Sequence, residues 1–286
     1  MNEEKVAAHP VHRGCWAPEL KGKTAIITGA GRLRSIGRAI AHELARQGVN
    51  IVLTGTGRSP DDFPSEEKQV GWRDVQSVAS EVEALGSKAA AHVSDVSNPT
   101  AIRNLLIATI ERFGAIDILV NNAGAARGAD RTSVVDLARE DWARVFQVNV
   151  EGTFLMSQSV ARLMIERGCG GSIINISSIA ARLALPNTAA YCASKAAINA
   201  LSRTMAMELA KDGIRVNAIL PGIIETSRMD GMGRGQEWKA FVTRVTPLGI
   251  AGTGAEVAQL CTYLCSDMGA WMTGQDIAID GGASWH

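Results

Sequence analysis

Tyr191 and Lys195 stand four residues apart in the stretch Tyr191-Cys-Ala-Ser-Lys195. The residues around them (AYCASKAAINALSRTMAMELA) are good helix formers with no Pro or Gly. On a helix, positions i and i+4 share a face. An ammonium held beside a phenol favours the phenolate. Such a tyrosine can pass a proton to or from a substrate oxygen near neutral pH. Ser177 and Ser178 close the apolar run upstream, and the Ser178 hydroxyl can hydrogen-bond the same oxygen. A Tyr and a Lys at this spacing also arise by chance on many helices, as a half-buried ring beside a solvated ion. The elements around the pair decide between the two readings.

Those elements alternate. Thr24–Thr28 is a short apolar run, followed by Gly29-Ala-Gly31-Arg-Leu-Arg34-Ser35-Ile36-Gly37 and an amphipathic helix ended by Gly48. Strand, glycine-rich turn and helix form the layout of a dinucleotide phosphate site. Glycines let backbone approach a pyrophosphate, and the helix N-terminus offers amides and a partial positive charge. A second strand, Asn50–Thr54, runs into Gly55-Thr-Gly-Arg58, with no acid before Asp61. An acid at that place would hold ribose hydroxyls; arginines would meet a 2′-phosphate. Arg34 and Arg58 therefore favour NADP(H), with NAD(H) as the alternative.

Residues 58–71 (RSPDDFPSEEKQVG) are predicted to be an exposed loop insertion. A helix over 72–85, a strand over 88–92 and Asp95-Val96 follow. The next helix opens at Pro99, and a strand over 117–120 ends in Asn121-Asn122-Ala123-Gly124. A long helix is expected over 140–167, with Asn149 as a polar residue on its apolar face. Strands follow over 172–177, 214–220 and 276–280, and helices over 188–212 and 255–265. Gly-rich residues 227–248, after a strand's carboxyl end, suit a substrate lid. The pattern predicts an α/β fold: one doubly wound Rossmann domain over 23–286, with a seven-stranded parallel sheet flanked by helices. Residues 1–22 form an N-terminal arm ahead of it.

Composition narrows the function. Charges balance at 29 basic and 29 acidic residues, so neither nucleic acid nor an anionic membrane surface is an expected partner. The five cysteines show no C-x-x-C spacing and suit reduced thiols in a cytoplasmic setting, with no metal site.

With these residues in place, the chain resembles the short-chain dehydrogenase/reductase family over about 23–284, especially its 3-oxoacyl carrier-protein reductase-like branch. The resemblance rests on TGAGRLRSIG, Asp95-Val96, Asn121 to Gly124, Asn149 in VNVEGTF, Ser178, Tyr191-x-x-x-Lys195, Pro221-Gly222 and the C-terminal TGQDIAIDGG. It implies Tyr191 as general acid/base and Lys195 as the ligand of the nicotinamide ribose. Ser178 would polarise the substrate carbonyl, and Asn149 would hold a relay water. Gly29, Arg34, Ser35, Ile36 and Gly37 would cradle the pyrophosphate, with Asp95 and Val96 at the adenine. Asn122, Ala123 and Gly124 would flank the adenosine ribose. Pro221, Gly222, Ile224 and Thr226 would face the nicotinamide. The glycine-rich turn departs from the family's usual TGxxxGxG: it is two residues longer, with Ser35 where the second Gly stands.

The expected activity is hydride transfer between NADP(H) and a carbonyl/secondary-alcohol pair, in a homotetramer built on 140–167 and 188–212. Alternatives are a 3-oxoacyl carrier-protein reductase proper, an NAD-dependent catabolic alcohol dehydrogenase and a non-catalytic dinucleotide-binding scaffold. A basic surface of Arg127, Arg131 and Arg234 beside the mouth of the site would favour the carrier-protein substrate.

Overall fold

The computed structural model describes residues 14–233 and 235–284. Seven strands form one parallel sheet in the order β3-β2-β1-β4-β5-β6-β7. They are β1 (Thr24–Ile27), β2 (Asn50–Gly55), β3 (Ala89–Val93), β4 (Ile118–Asn121), β5 (Gly171–Ile176), β6 (Ile214–Pro221) and β7 (Asp276–Ile279). The order reverses between β1 and β4, so the crevice where such folds take ligands opens above their carboxyl ends.

Side chains alternate across the sheet. Ala25, Ile27, Ile51, Leu53, Ile118 and Val120 face a core closed by α1 (Ile36–Arg46), α3 (Val75–Ala84) and α9 (Gly254–Cys265). Ile26, Val52, Leu119, Ile173 and Val216 face the other core, closed by α4 (Pro99–Phe113), α6 (Gly152–Arg167) and α7 (Ala189–Leu209). Burial on both faces explains why the strands are short apolar runs rather than alternating ones. Cys261 and Cys265 are buried in the first core.

Two segments differ from expectation. The helix expected over 140–167 is α5 (Arg139–Phe146) and α6 joined by a π turn, Gln147–Glu151, which carries Asn149. The insertion at 58–71 is mostly exposed, as expected, but is not a plain loop. It folds into a 3-10 turn and α2 (Ser65–Gln69), with Phe63 and Glu67 buried, as is the next residue, Trp72. Its apolar content was masked by two prolines and a run of charges. The described end of the N-terminal arm lies on the body: Gln47 at the end of α1 accepts the amides of Trp16 and Ala17. Residues 1–13 of that arm lie outside the described residues. No helix among the described residues is long and apolar enough to cross a membrane.

Candidate active site

The end of β5 and the first turns of α7 carry the residues expected to handle a proton. Lys195, 5% exposed, donates from Nζ to Ile176 O at 2.8 Å. The Ser177 hydroxyl donates to Lys195 O at 3.1 Å. These two bonds fasten the end of β5 to the first turns of α7. Ser177 is thereby a buried fastener, while Ser178, the next residue, is half-buried and caps a short turn by accepting the Ala180 amide. Tyr191 lies one helical turn before Lys195, with the ammonium 5.9 Å from its ring centroid. Burial first, and Arg228 second, lower the Lys195 pKa to about 7.

Asn149 is fully buried, and its side chain accepts the Ala125 amide at 2.8 Å and donates to Ser194 Oγ at 2.9 Å. The amide group thus ties three elements together. Its place in a π turn, a distortion frequent at functional sites, sets its backbone apart from the regular helical ladder. Thr28, which the sequence offered only as the end of a strand, organises the floor of the crevice. Its hydroxyl oxygen accepts the amides of Asn122 and Ala123, each at 3.0 Å. Asn122 in turn donates to Thr28 O and Gly29 O.

The glycine-rich turn fits a dinucleotide phosphate. Gly29 has φ 66°, and a Cβ there would lie 2.6 Å from Ala123 Cα, so only glycine suits the position. Ser35 needs no such freedom: it is extended (φ −146°) and caps α1 by accepting the Arg38 amide. Among the described residues, the amides of Ile36 and Gly37 have no partner and face the crevice end of α1, as the first amides of a helix do. Val96 is buried and packs on Gly152, while Asp95 is exposed and holds Ser97. Gly124 is exposed, and a Cβ there would lie 3.4 Å from Asn149 Oδ1. Pro221 and Ile224 are buried, Gly222 packs on Asp280, and Thr226 opens the 3-10 turn Ser227–Met232, the start of the segment expected to be a lid.

The pocket expected for a 2′-phosphate is not a free basic one. Arg34 is paired to Asp230 (2.7 Å) and Glu66 (2.8 Å), which hold its pKa above the ordinary value. Arg58 is paired to Glu67 (2.8 Å) and Asp74 (3.2 Å). Burial works against its charge, but the two carboxylates outweigh that. Glu67 also accepts the Leu33 amide, and Trp72 donates to Gly31 O. The carboxylate of Asp74 presses on Gly31, where any side chain would collide with it. Its Oδ2 lies 3.6 Å from where a Cβ on Gly55 would stand. Glu67 and Asp74 left no sequence signal, because they follow the strand end by more than ten residues.

The expected basic surface is formed differently. Arg131 lies over the Tyr191 ring rather than out in solvent, Arg127 is exposed, and Arg234 lies outside the described residues. Arg228, in the segment 227–248, joins Arg131 at the ring.

A parallel sheet in this order, with a glycine turn under the crevice and a tyrosine-lysine pair above it, defines a dinucleotide-dependent oxidoreductase fold. The chain belongs to the short-chain dehydrogenase/reductase family and acts on alcohol or carbonyl groups. A family model described as enoyl-(acyl carrier protein) reductase matches residues 29–284. The chain is 34% identical to an L-rhamnose 1-dehydrogenase (NAD(P)(+)) of Sphingomonas sp. over 92% of its length and 96% of that protein. It is similar to a gluconate 5-dehydrogenase of Burkholderia cenocepacia solved with NADP and tartrate, with a TM-score of 0.81, 34% identity and coverage of 93% and 97%. A carveol dehydrogenase of Mycobacterium avium solved with NAD has a TM-score of 0.84, 25% identity and coverage of 93% and 99%.

Proposed function

We propose that this protein interconverts a secondary alcohol and its carbonyl compound, with a nicotinamide dinucleotide as hydride acceptor or donor and Tyr191 as the general acid/base. The observation that carries this is Lys195, buried beside the Tyr191 ring and tied to the end of β5. In the reductive direction the Tyr191 hydroxyl gives its proton to the substrate oxygen, and in the oxidative direction the phenolate takes it back. Ser178 donates a hydrogen bond to the same oxygen. Lys195 favours the phenolate and would bind ribose hydroxyls, while Asn149 would hold a relay water. The bound nicotinamide supplies the hydride chemistry, and the protein supplies orientation and electrostatics. Tyr191→Phe is expected to lower turnover by a factor of about 100 to 10,000 with dinucleotide affinity nearly unchanged. Turnover within a few-fold of the parent would end this assignment.

Relatives are described with NAD, with NADP and with either, so the cofactor is read from this chain's own residues. We infer NAD(H). Both arginines expected to meet a 2′-phosphate are already neutralised, and Asp74 returns a carboxylate to the end of β2, where Gly55 offers none. There it would accept from the adenosine ribose hydroxyls. NADP(H) remains the second reading because Arg32, in the glycine-rich turn, forms no ion pair among the described residues. Fluorescence titration should show NADH binding more tightly than NADPH, with Asp74→Ala narrowing or reversing the difference. Tighter NADPH binding by the parent would overturn the inference. By family likeness the assembly is a homotetramer through α5–α6 and α7, and the free thiols suit a cytoplasmic setting.

A further inference from the structure

More positive charge surrounds Tyr191 than proton transfer requires. The Arg131 guanidinium lies 4.4 Å from the ring centroid, that of Arg228 5.1 Å and the Lys195 ammonium 5.9 Å. They come from three places: the loop after β4, the first turn of the lid, and α7. Counter-charge is scarce. Asp130 lies 3.2 Å from Arg131 Nε, but in a direction that leaves this buried N–H without a hydrogen bond. The same carboxylate also serves Arg144 at 3.3 Å and the Gly128 amide at 3.0 Å. Arg228 forms no ion pair among the described residues, and its Nη1 donates to Ala125 O at 3.1 Å. Burial, then Arg228, depress the pKa of Arg131, as they do that of Lys195. Arg131 and Lys195 are largely shielded from water while Arg228 is exposed, so the repulsion among these like charges is only partly screened. An anion bound among them would relieve all three.

We propose that the substrate of this site carries a carboxylate, held by Arg131 and Arg228 beside the hydroxyl or carbonyl that Tyr191 serves. The proposal rests on the Tyr191 reading above. Guanidinium groups bind carboxylates through paired charge-assisted hydrogen bonds, which gain strength where water is excluded. A neutral polyol would bring no counter-charge to Arg131, whose buried Nε has no hydrogen-bond partner. The cofactor pyrophosphate does not answer this charge: its cradle is the amino end of α1, whereas both guanidinium groups turn to the tyrosine ring. The relatives include enzymes named for a neutral sugar and for gluconate, so family membership leaves substrate charge open. Arg228 belongs to the lid, so a bound carboxylate would also hold the lid against the loop after β4.

The test is calorimetric titration of the dinucleotide-loaded protein with tartrate and gluconate, each against the uncharged polyol of equal chain length, threitol and glucitol. The acids should bind about 10- to 100-fold more tightly, the scale of one charge-assisted hydrogen bond. The preference should shrink as salt rises. Arg131→Gln and Arg228→Gln should each remove about tenfold of it. Polyols binding as tightly as the acids, or neither acid binding at all, would overturn the proposal. So would an Arg228→Gln variant that loses dinucleotide affinity but keeps the acid preference. Failure is separable from that of the Tyr191 reading. Tyr191-dependent turnover of neutral alcohols without acid preference sinks only the carboxylate. Acid binding with turnover that survives Tyr191→Phe sinks only the proton transfer.

Discussion

Lys195 pays a folding cost for its position. Burial holds its pKa at about 7, against about 10.4 for a free lysine. Between those values the unfolded chain carries a proton that the folded chain lacks. Stability of the dinucleotide-free protein should therefore rise with pH across that window. The penalty is complete below about 7. Each pKa unit corresponds to about 1.4 kcal/mol, so the change amounts to a few kcal/mol. Lys195→Met should lose this slope and gain relative stability at low pH. Urea unfolding at about pH 6, 8 and 9.5 checks it; parallel curves for the two proteins would refute it. Of the expected site, what was legible in the sequence is placement: Tyr191 and Lys195 share a helix and Ser178 follows a strand end, because a helical face and a strand end are local facts. Arg131 over the tyrosine ring was not, since loop contacts of this kind depend on tertiary structure.

At the scale of elements, the insertion between β2 and α3 is the main departure from expectation. Local composition makes Arg58, Glu66 and Glu67 look like a solvated charged run. In the structure Glu67 is 2% exposed and supports both Arg58 and the Leu33 amide. Removing one partner of a buried pair leaves the other charge uncompensated. Glu67→Ala should cost about 3 kcal/mol, and Glu67→Gln less, because an amide can still accept from Leu33. The variants should also bind NADPH better relative to NADH, since Arg58 is released. Urea midpoints and paired titrations measure both effects, and unchanged stability with unchanged selectivity would show that the cluster is incidental. The strands were legible because both faces are buried. The π turn was not, since nothing in QVNVE distinguishes it from regular helix.

For the whole molecule, apolar side chains remain on the outer faces of the helices expected to meet other copies. Phe154 and Ile165 on α6 are each 41% exposed, and Met207 on α7 is 83% exposed. Exposed apolar area on long helices is what a packed interface would cover. Light scattering should give four copies per particle, and Phe154→Glu should lower that number. A particle of one copy in the parent would end the tetramer expectation. The parallel sheet and the two-sided core followed from the alternation of elements; the strand order was not read from it. The docking of the arm's end on α1 did not, because it depends on Gln47 meeting backbone amides about thirty residues away.

The lid is joined to the dinucleotide cradle by short bonds: the amide and hydroxyl of Ser227 both donate to Arg34 O. Whatever settles the glycine-rich turn also settles the first turn of the lid, and with it Arg228. The two ligands then share one free energy, and each tightens the other by the same factor. In paired titrations, saturating dinucleotide should tighten the substrate acid by the same factor as saturating acid tightens the dinucleotide.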